Sequence, residues 1–345
     1  MKLEAANKFS GVLLITEGER SYYEGAFGYA NRPWLIPNSL DVRFDSASIT
    51  KLFTAVATLQ LIEGDQFGFE TGVINFLGLV DTSISRDVNV YHLLTHTSGI
   101  GDDVEEEAGE IYEDLFKSRP NYMVTTTTDF LPQFIHKPAN FPPGETCRYC
   151  NCSFILLGLM IEKASGMSYR NYVRQHIFQP AGMSNTEFFS MARSNPLVAE
   201  GYDPIWNADK DLVGWKRNIY SHPPIGSPDG GAYVTASDLD RFLRVLKSGE
   251  LLTSEMTKAF FTPQVHYRNH DTWIQKYGFG MWFYVEKTSD EVIFFQKEGI
   301  NAGVSGMIRH YPSRDLSVII LSNMEDGAWK PMRHIHELVV RGAWD

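Results

Sequence analysis

Arg43-Phe44-Asp45-Ser46-Ala47-Ser48-Ile49-Thr50-Lys51 runs into Leu52-Phe53-Thr54-Ala55-Val56-Ala57-Thr58-Leu59-Gln60-Leu61-Ile62-Glu63 and stops at Gly64. An apolar stretch of helical length ending on glycine predicts a buried helix over 51–63 with a left-handed C-terminal cap. Ser48 falls at its N-terminal edge and Lys51 one turn on. Positions i and i+3 share a helix face, so hydroxyl and ammonium can meet. The unpaired N–H groups of a helix start favour an anion and disfavour a protonated lysine. Those conditions suit a serine nucleophile with a lysine base. A capping serine beside an exposed lysine would share the spacing, so the rest of the chain has to decide.

The chain of 345 residues is long enough for two domains, or for one with a large insertion. Its 43% apolar content, with 7 Trp, 16 Tyr and 22 Phe, supports a sizeable core. A net charge of −11 argues against nucleic acid or an anionic membrane as partner, because both need basic surface. No apolar run reaches transmembrane length. Met1-Lys2-Leu3-Glu4-Ala5-Ala6-Asn7-Lys8 has no apolar signal core, which makes a cytoplasmic location the expectation. Three cysteines confined to 147–152 fit a reducing compartment better than a disulfide framework.

Working outward, 11–16 and 21–29 read as a β-hairpin. Segment 102–114 carries eight carboxylates and no base; a solvated, mobile face is expected, or else a lid favouring cationic or neutral substrates. Residues 153–164 read as a second buried helix closing at Gly166, and 195–229, with five prolines, as a long loop. From Gly230 a helix follows with Ser237 as its cap. Runs at 280–285, 292–295, 306–311 and 316–321 form an antiparallel meander, and a last helix spans 328–341. The fold class is α+β: residues 1–75 and 225–345 supply a domain with an antiparallel sheet, residues 76–224 a mostly helical insertion.

Three stations stand out: Ser48/Lys51, Tyr149-Cys150-Asn151, and Lys297-Glu298-Gly299 before Ile300. Taken together they resemble the serine β-lactamase and penicillin-binding-protein-like hydrolases, in the class C-like branch with carboxylesterases and D-amino-acid peptidases and amidases. That family pairs Ser-x-x-Lys with Tyr-x-Asn and a Lys-or-His-x-Gly motif on an edge strand. The segments 92–99, 143–151, 156–158, 180–183 and 230–239 also match the branch in order. The resemblance implies the β-lactamase/transpeptidase-like fold, with the site between the two domains. It implies Ser48 as nucleophile, Lys51 as base, Tyr149 relaying a proton to the leaving group, and Asn151 orienting lysine and substrate. Lys297, Glu298, Gly299 and Ile300 would line the substrate, with the N–H groups of Ser48 and Ile300 as oxyanion hole. Burial and a nearby Lys297 would both lower the Lys51 pKa. No cofactor is implied, and the partner is a small ester, amide or lactam.

Glu298 stands where Thr, Ser or Gly is usual, and Cys150 where Ser or Ala is common. A carboxylate at 298 would repel the acid group of a lactam or pair with Lys297, which favours a neutral ester or amide. The rivals are a class C-type β-lactamase and a non-catalytic penicillin-binding or sensor protein that is acylated without turnover. Cys147, Cys150 and Cys152 lack a fourth zinc ligand nearby in sequence, so no metal is expected. His92 and His96, i and i+4 on an expected helix, read as structural, and His334 and His336 as surface residues.

Overall fold

In the computed structural model, residues 8–105 and 108–342 are described. The N-terminal residues 1–7 and Glu106 and Glu107 of the acidic run lie outside them. Strands from both ends of the chain make one antiparallel sheet: β1 (Gly11–Glu17), β2 (Arg20–Phe27), β3 (Val265–Asn269), β4 (Trp273–Tyr277), β5 (Trp282–Glu286), β6 (Val292–Asn301), β7 (Val304–Tyr311) and β8 (Leu316–Ser322). Their order is β2-β1-β8-β7-β6-β5-β4-β3. The join between the two ends is β1 against β8, with Gly11 opposite Ser322 and Glu17 opposite Leu316.

The central strands are apolar on both faces, and alternation sorts their side chains. Val12, Leu14, Ile319 and Leu321 face the large core, which also holds the helices α1 (Lys51–Glu63), α2 (Asn151–Ser165) and α3 (Ala236–Lys247). Leu13, Ile15, Val318 and Ile320 face Met332, Ile335 and Val339 of the last helix, α4 (Trp329–Val340). The sheet is therefore a middle layer, sealed on both sides. Helix α1 has buried residues all round, from Lys51 to Leu61, and forms the spine between the sheet and α2. Among the described residues no helix is long and apolar enough to cross a membrane.

Several local expectations need correction. Gly64 follows α1 but keeps φ −84°, and the left-handed residue is Asp65 at φ 54°. Thr235, not Ser237, caps α3: its extended backbone lets its side chain accept from the Asp238 N–H at 3.2 Å, whereas Ser237 is already inside the helix. The expected loop at 195–229 contains a hairpin, Tyr202–Trp206 with Leu212–Arg217. Strands β3 and β4 carry too many polar residues to show an alternation, because they lie at the exposed end of the sheet. His96 is not on a helix with His92; the helix Val90–Leu94 ends before it and His96 takes φ 56°. His336 is half-buried against the sheet, its Nδ1 2.9 Å from the Tyr311 hydroxyl.

The third motif also sits differently from a simple edge. Strand β6 is interior to the sheet, but its pairing with β5 ends at Gln296, opposite Trp282. Residues 297–301 continue against β7 alone. The long strand outruns its neighbour, so the motif gains a local open edge.

Candidate active site

Ser48 lies in a 3₁₀ turn, Ala47–Thr50, that feeds α1. Ser46, Ala47, Ile49, Thr50 and Lys51 are all buried, and Ser48 alone among them reaches the surface. Ala47 is held at φ 42°, a left-handed backbone that costs a non-glycine residue about 1 kcal/mol. Its N–H donates to Asp45 Oδ1 at 2.7 Å and its carbonyl accepts from Gly231 N–H at 3.3 Å. Strain fixed in this way points to a turn whose shape matters. In such a first turn the Ser48 N–H has no intrahelical acceptor and stays available to an anion.

Lys51 is fully buried beneath that turn. Its Nζ lies 3.0 Å from Ser48 Oγ, 2.8 Å from Asn151 Oδ1 and 2.6 Å from the Asp229 carbonyl. Asn151 and Asp229 offer only acceptors, which claim two N–H bonds of a neutral amine. Its lone pair is then left for the Ser48 proton. Burial lowers the Lys51 pKa from its usual value, against the upward pull of Asp229, Asp102, Cys150 and Asp103.

Tyr149 stands between the two lysines. Lys297 Nζ donates to its hydroxyl at 3.2 Å, and Lys51 and Lys297 sit 5.1 and 4.6 Å from its ring centre. Burial holds the phenol well above its usual pKa, partly offset by a hydrogen bond with Ser48. Burial, then the charge of Lys51, pushes Lys297 down to about 7. The mutual repulsion expected for the pair is felt at Lys297.

His96, a structural histidine by sequence, supports Tyr149 directly. Its ring packs 4.4 Å from the tyrosine ring, centre to centre, and Nδ1 accepts the Cys150 N–H at 3.2 Å. Burial and the two lysines keep it neutral, well below the usual histidine value.

Glu298 does not pair with Lys297. It accepts from Gln296 Nε2 at 3.3 Å, and burial raises its carboxyl against the pull of Lys297. Gly299 is needed for close approach: a Cβ there would sit 2.2 Å from the Ser46 carbonyl oxygen and 3.0 Å from Ser48 N. Only a bare backbone lets β6 lie against the serine turn. Ile300 follows at the rim, 47% exposed.

The acidic run is not a solvated face where it meets the site. Asp102 and Asp103 are buried. Asp102 caps α2 from another loop, Oδ2 accepting from Asn151 N–H and Oδ1 from Cys152 N–H, both at 2.9 Å. That cap starts α2 at Asn151 and so aims the Asn151 side chain at Lys51. Asp102→Ala is expected to lower stability by about 1–2 kcal/mol, read as the midpoint of urea unfolding. A midpoint equal to wild type would mean that the cap contributes nothing.

Cys152 Sγ comes within 4.8 Å of carboxylate oxygens of Asp102 and Asp103, the fold thus supplying ligand types that sequence spacing did not. Two of these groups are committed: Asp102 caps the helix, and Cys152 Sγ accepts from the Asp103 N–H at 3.2 Å. A cysteine binds zinc as its thiolate, and burial pushes the Cys152 thiol well up and that of Cys147 to about 12.

Ser48, Tyr149, Asn151, Lys297, Glu298 and Ile300 line one cavity of about 260 Å³, with Lys51 under its floor and Gly299 behind its wall. Residues separated by 250 positions in sequence thus converge on one serine hydroxyl. Sequence reasoning missed Asp103, Tyr112, His96 and the Asp229 carbonyl. A signal existed only for Asp103, hidden in a charge run.

This placing of a large antiparallel sheet against helices, with the serine turn feeding a buried one, is that of the β-lactamase/transpeptidase fold. The chain belongs to the Beta-lactamase family, whose model matches residues 2–339. It is similar to a solved penicillin-binding protein from Bacillus halodurans, at 37% identity and a TM-score of 0.88 over 98% of this chain and 99% of that one. Penicillin-binding protein 4* of Bacillus subtilis (strain 168) is 28% identical over 330 residues, 93% of this chain and 69% of the relative. A D-stereospecific amidohydrolase from Streptomyces sp. shares the fold, with a TM-score of 0.75 and 24% identity over 94% and 92% of the two chains. Members of the family are generally serine hydrolases, and some are non-catalytic.

Proposed function

We propose that the chain is a serine hydrolase that works through an acyl-enzyme on a small ester or amide. The observation that carries this reading is the buried Lys51 amine, 3.0 Å from Ser48 Oγ, with its other contacts all to acceptors. Neutral Lys51 takes the Ser48 proton as Oγ attacks the substrate carbonyl. The N–H groups of Ser48 and Ile300 meet the developing oxyanion. The tyrosine hydroxyl of residue 149, held by Lys297, passes a proton to the leaving group, and water then releases the acyl group.

Glu298 supports an ester or amide over a β-lactam. Its carboxyl lines the cavity next to Lys297 and would face the acid group of a lactam. The test compares p-nitrophenyl acetate, a chromogenic cephalosporin and an alanyl amide as substrates. Turnover of the ester or amide, with slow or no turnover of the cephalosporin, is expected. Fast cephalosporin turnover would overturn the reading of Glu298. Acyl on Ser48 by mass spectrometry without turnover would replace the hydrolase with a penicillin-binding or sensor role.

A further inference from the structure

Ala47 is the strained residue of the serine turn, and the peptides on its two sides are clamped from different places. The peptide after it carries both the Ala47 carbonyl and the Ser48 N–H, which point opposite ways in one plane. The carbonyl accepts from the Gly231 N–H at 3.3 Å, so the Ser48 N–H is aimed away from Gly231. The peptide before Ala47 is clamped by a side chain, its N–H donating to Asp45 Oδ1 at 2.7 Å. Asp45 lines the active-site cavity and is only 8% exposed. It ends a short strand, Phe44 opposite Val234 and Asp45 opposite Tyr233, and the Ser46 N–H then donates to the Ala232 carbonyl at 2.9 Å. Burial raises the Asp45 carboxyl, against the pull of His222. A carboxylate in such a place is costly, and the hydrogen bond that this one accepts comes from Ala47.

The magnitudes show what that bond can do. The left-handed region disfavours alanine by about five- to thirtyfold. A hydrogen bond to a charged acceptor is worth about ten- to a hundredfold, enough to hold Ala47 there. The bond from Gly231, at 3.3 Å, is the weaker clamp of the two.

We propose that Asp45 is a positioning residue for acyl transfer: its side chain holds Ala47 in the left-handed conformation and thereby fixes the Ser48 N–H that meets the oxyanion. This rests on the serine hydrolase reading above. Asp45 acts through Ala47 and Ser48 and is not itself a catalytic group. The surroundings leave the turn little room to find another shape that works. A Cβ on Gly299 would come 3.1 Å from the Ala47 Cβ, and one on Gly230 would come 3.5 Å from the Ala47 carbonyl. Ala47 is thus fitted between strand β6 and the segment at 230–231, and Asp45 sets how it lies there.

The experiment is a double-mutant cycle on residues 45 and 47, read as kcat/KM and the acylation burst with p-nitrophenyl acetate. Asp45→Ala should lower kcat/KM by about tenfold or more, the worth of the clamp it removes. Asp45→Asn keeps an acceptor oxygen and should stay within about threefold of wild type. In the Ala47→Gly background the left-handed backbone costs nothing, so the loss caused by Asp45→Ala should shrink to about threefold or less. A residue that only filled space or supplied charge would give the same loss in both backgrounds. Far-UV circular dichroism and the urea midpoint establish which variants are folded; where Asp45→Ala is not, Asp45→Asn decides. A loss above about threefold in folded Asp45→Asn overturns the proposal. Wild-type activity in folded Asp45→Ala, or an undiminished loss in the Ala47→Gly background, also overturns it and leaves the hydrolase standing. No turnover of the ester by wild type, and no acyl on Ser48, would remove both readings together.

Discussion

Ser48→Ala is expected to reduce ester turnover by at least about 10⁴-fold while leaving the unfolding midpoint close to wild type. The size follows from losing the nucleophile, since what survives is catalysis by the oxyanion donors and by binding alone. The unchanged stability follows from the surroundings. The deleted hydroxyl is the one polar group of its turn that reaches the surface, and Lys51 keeps its contacts with Asn151 Oδ1 and the Asp229 carbonyl. Burst kinetics and intact mass after p-nitrophenyl acetate check both halves: wild type should gain one acetyl group and the variant none. A variant that still turns the ester over at a tenth of the wild-type rate would move the nucleophile elsewhere.

Lys51→Met carries the second large effect, a loss of about 10³-fold or more in kcat/KM, because the serine loses the amine 3.0 Å from its hydroxyl. The same variant has a signed consequence for stability. The folded pKa of Lys51 is lowered, chiefly by burial, so the unfolded chain binds more protons between the two pKa values. Wild-type stability therefore falls as pH drops from the unfolded value of 10.5 towards the folded one, and levels off below it. Lys51→Met has no such group. Its stability relative to wild type should improve as pH is lowered across that window, offset at every pH by the acceptors left unpaired at Asn151 and Asp229. Urea unfolding of both proteins at several pH values measures the trend. A difference that does not change with pH would mean that Lys51 is not held in its neutral form by the fold.

Activity should report the same physics. Burial disfavours both ammonium groups and Lys51 also disfavours that of Lys297, which is pushed down to about 7. The pair sheds a proton near neutrality, so kcat/KM for a neutral ester should rise with pH on the acid side and flatten above that region. A flat profile through neutral pH would disconnect the lysines from the rate.

The sequence by itself determined the spine of this protein. An apolar stretch from Leu52 to Ile62 can only be buried, and Ser48 and Lys51 at its start are placed on one face by helical spacing alone. The meander at 280–321 was legible because its strands are apolar and closely spaced, as central strands sealed on both faces must be. Strands β3 and β4 were not, because their residues are half-exposed and no face selects them. The motifs around 149 and 297 were readable as motifs, but their distance from Ser48 was not.

Tertiary structure decided what local rules cannot reach. Asp102 and Asp103 read as part of a charge run, since nothing in the neighbouring residues says that a helix start 49 positions away will claim one of them. His96 read as a structural histidine until the fold laid its ring on Tyr149. Glu298 looked like a partner for Lys297, yet Lys297 is bonded to Tyr149 and Glu298 to Gln296. Helical period and apolar run length are properties of adjacent residues, so sequence carries them. The protonation of Lys51 depends on which distant groups exclude water from it, and only packing sets that.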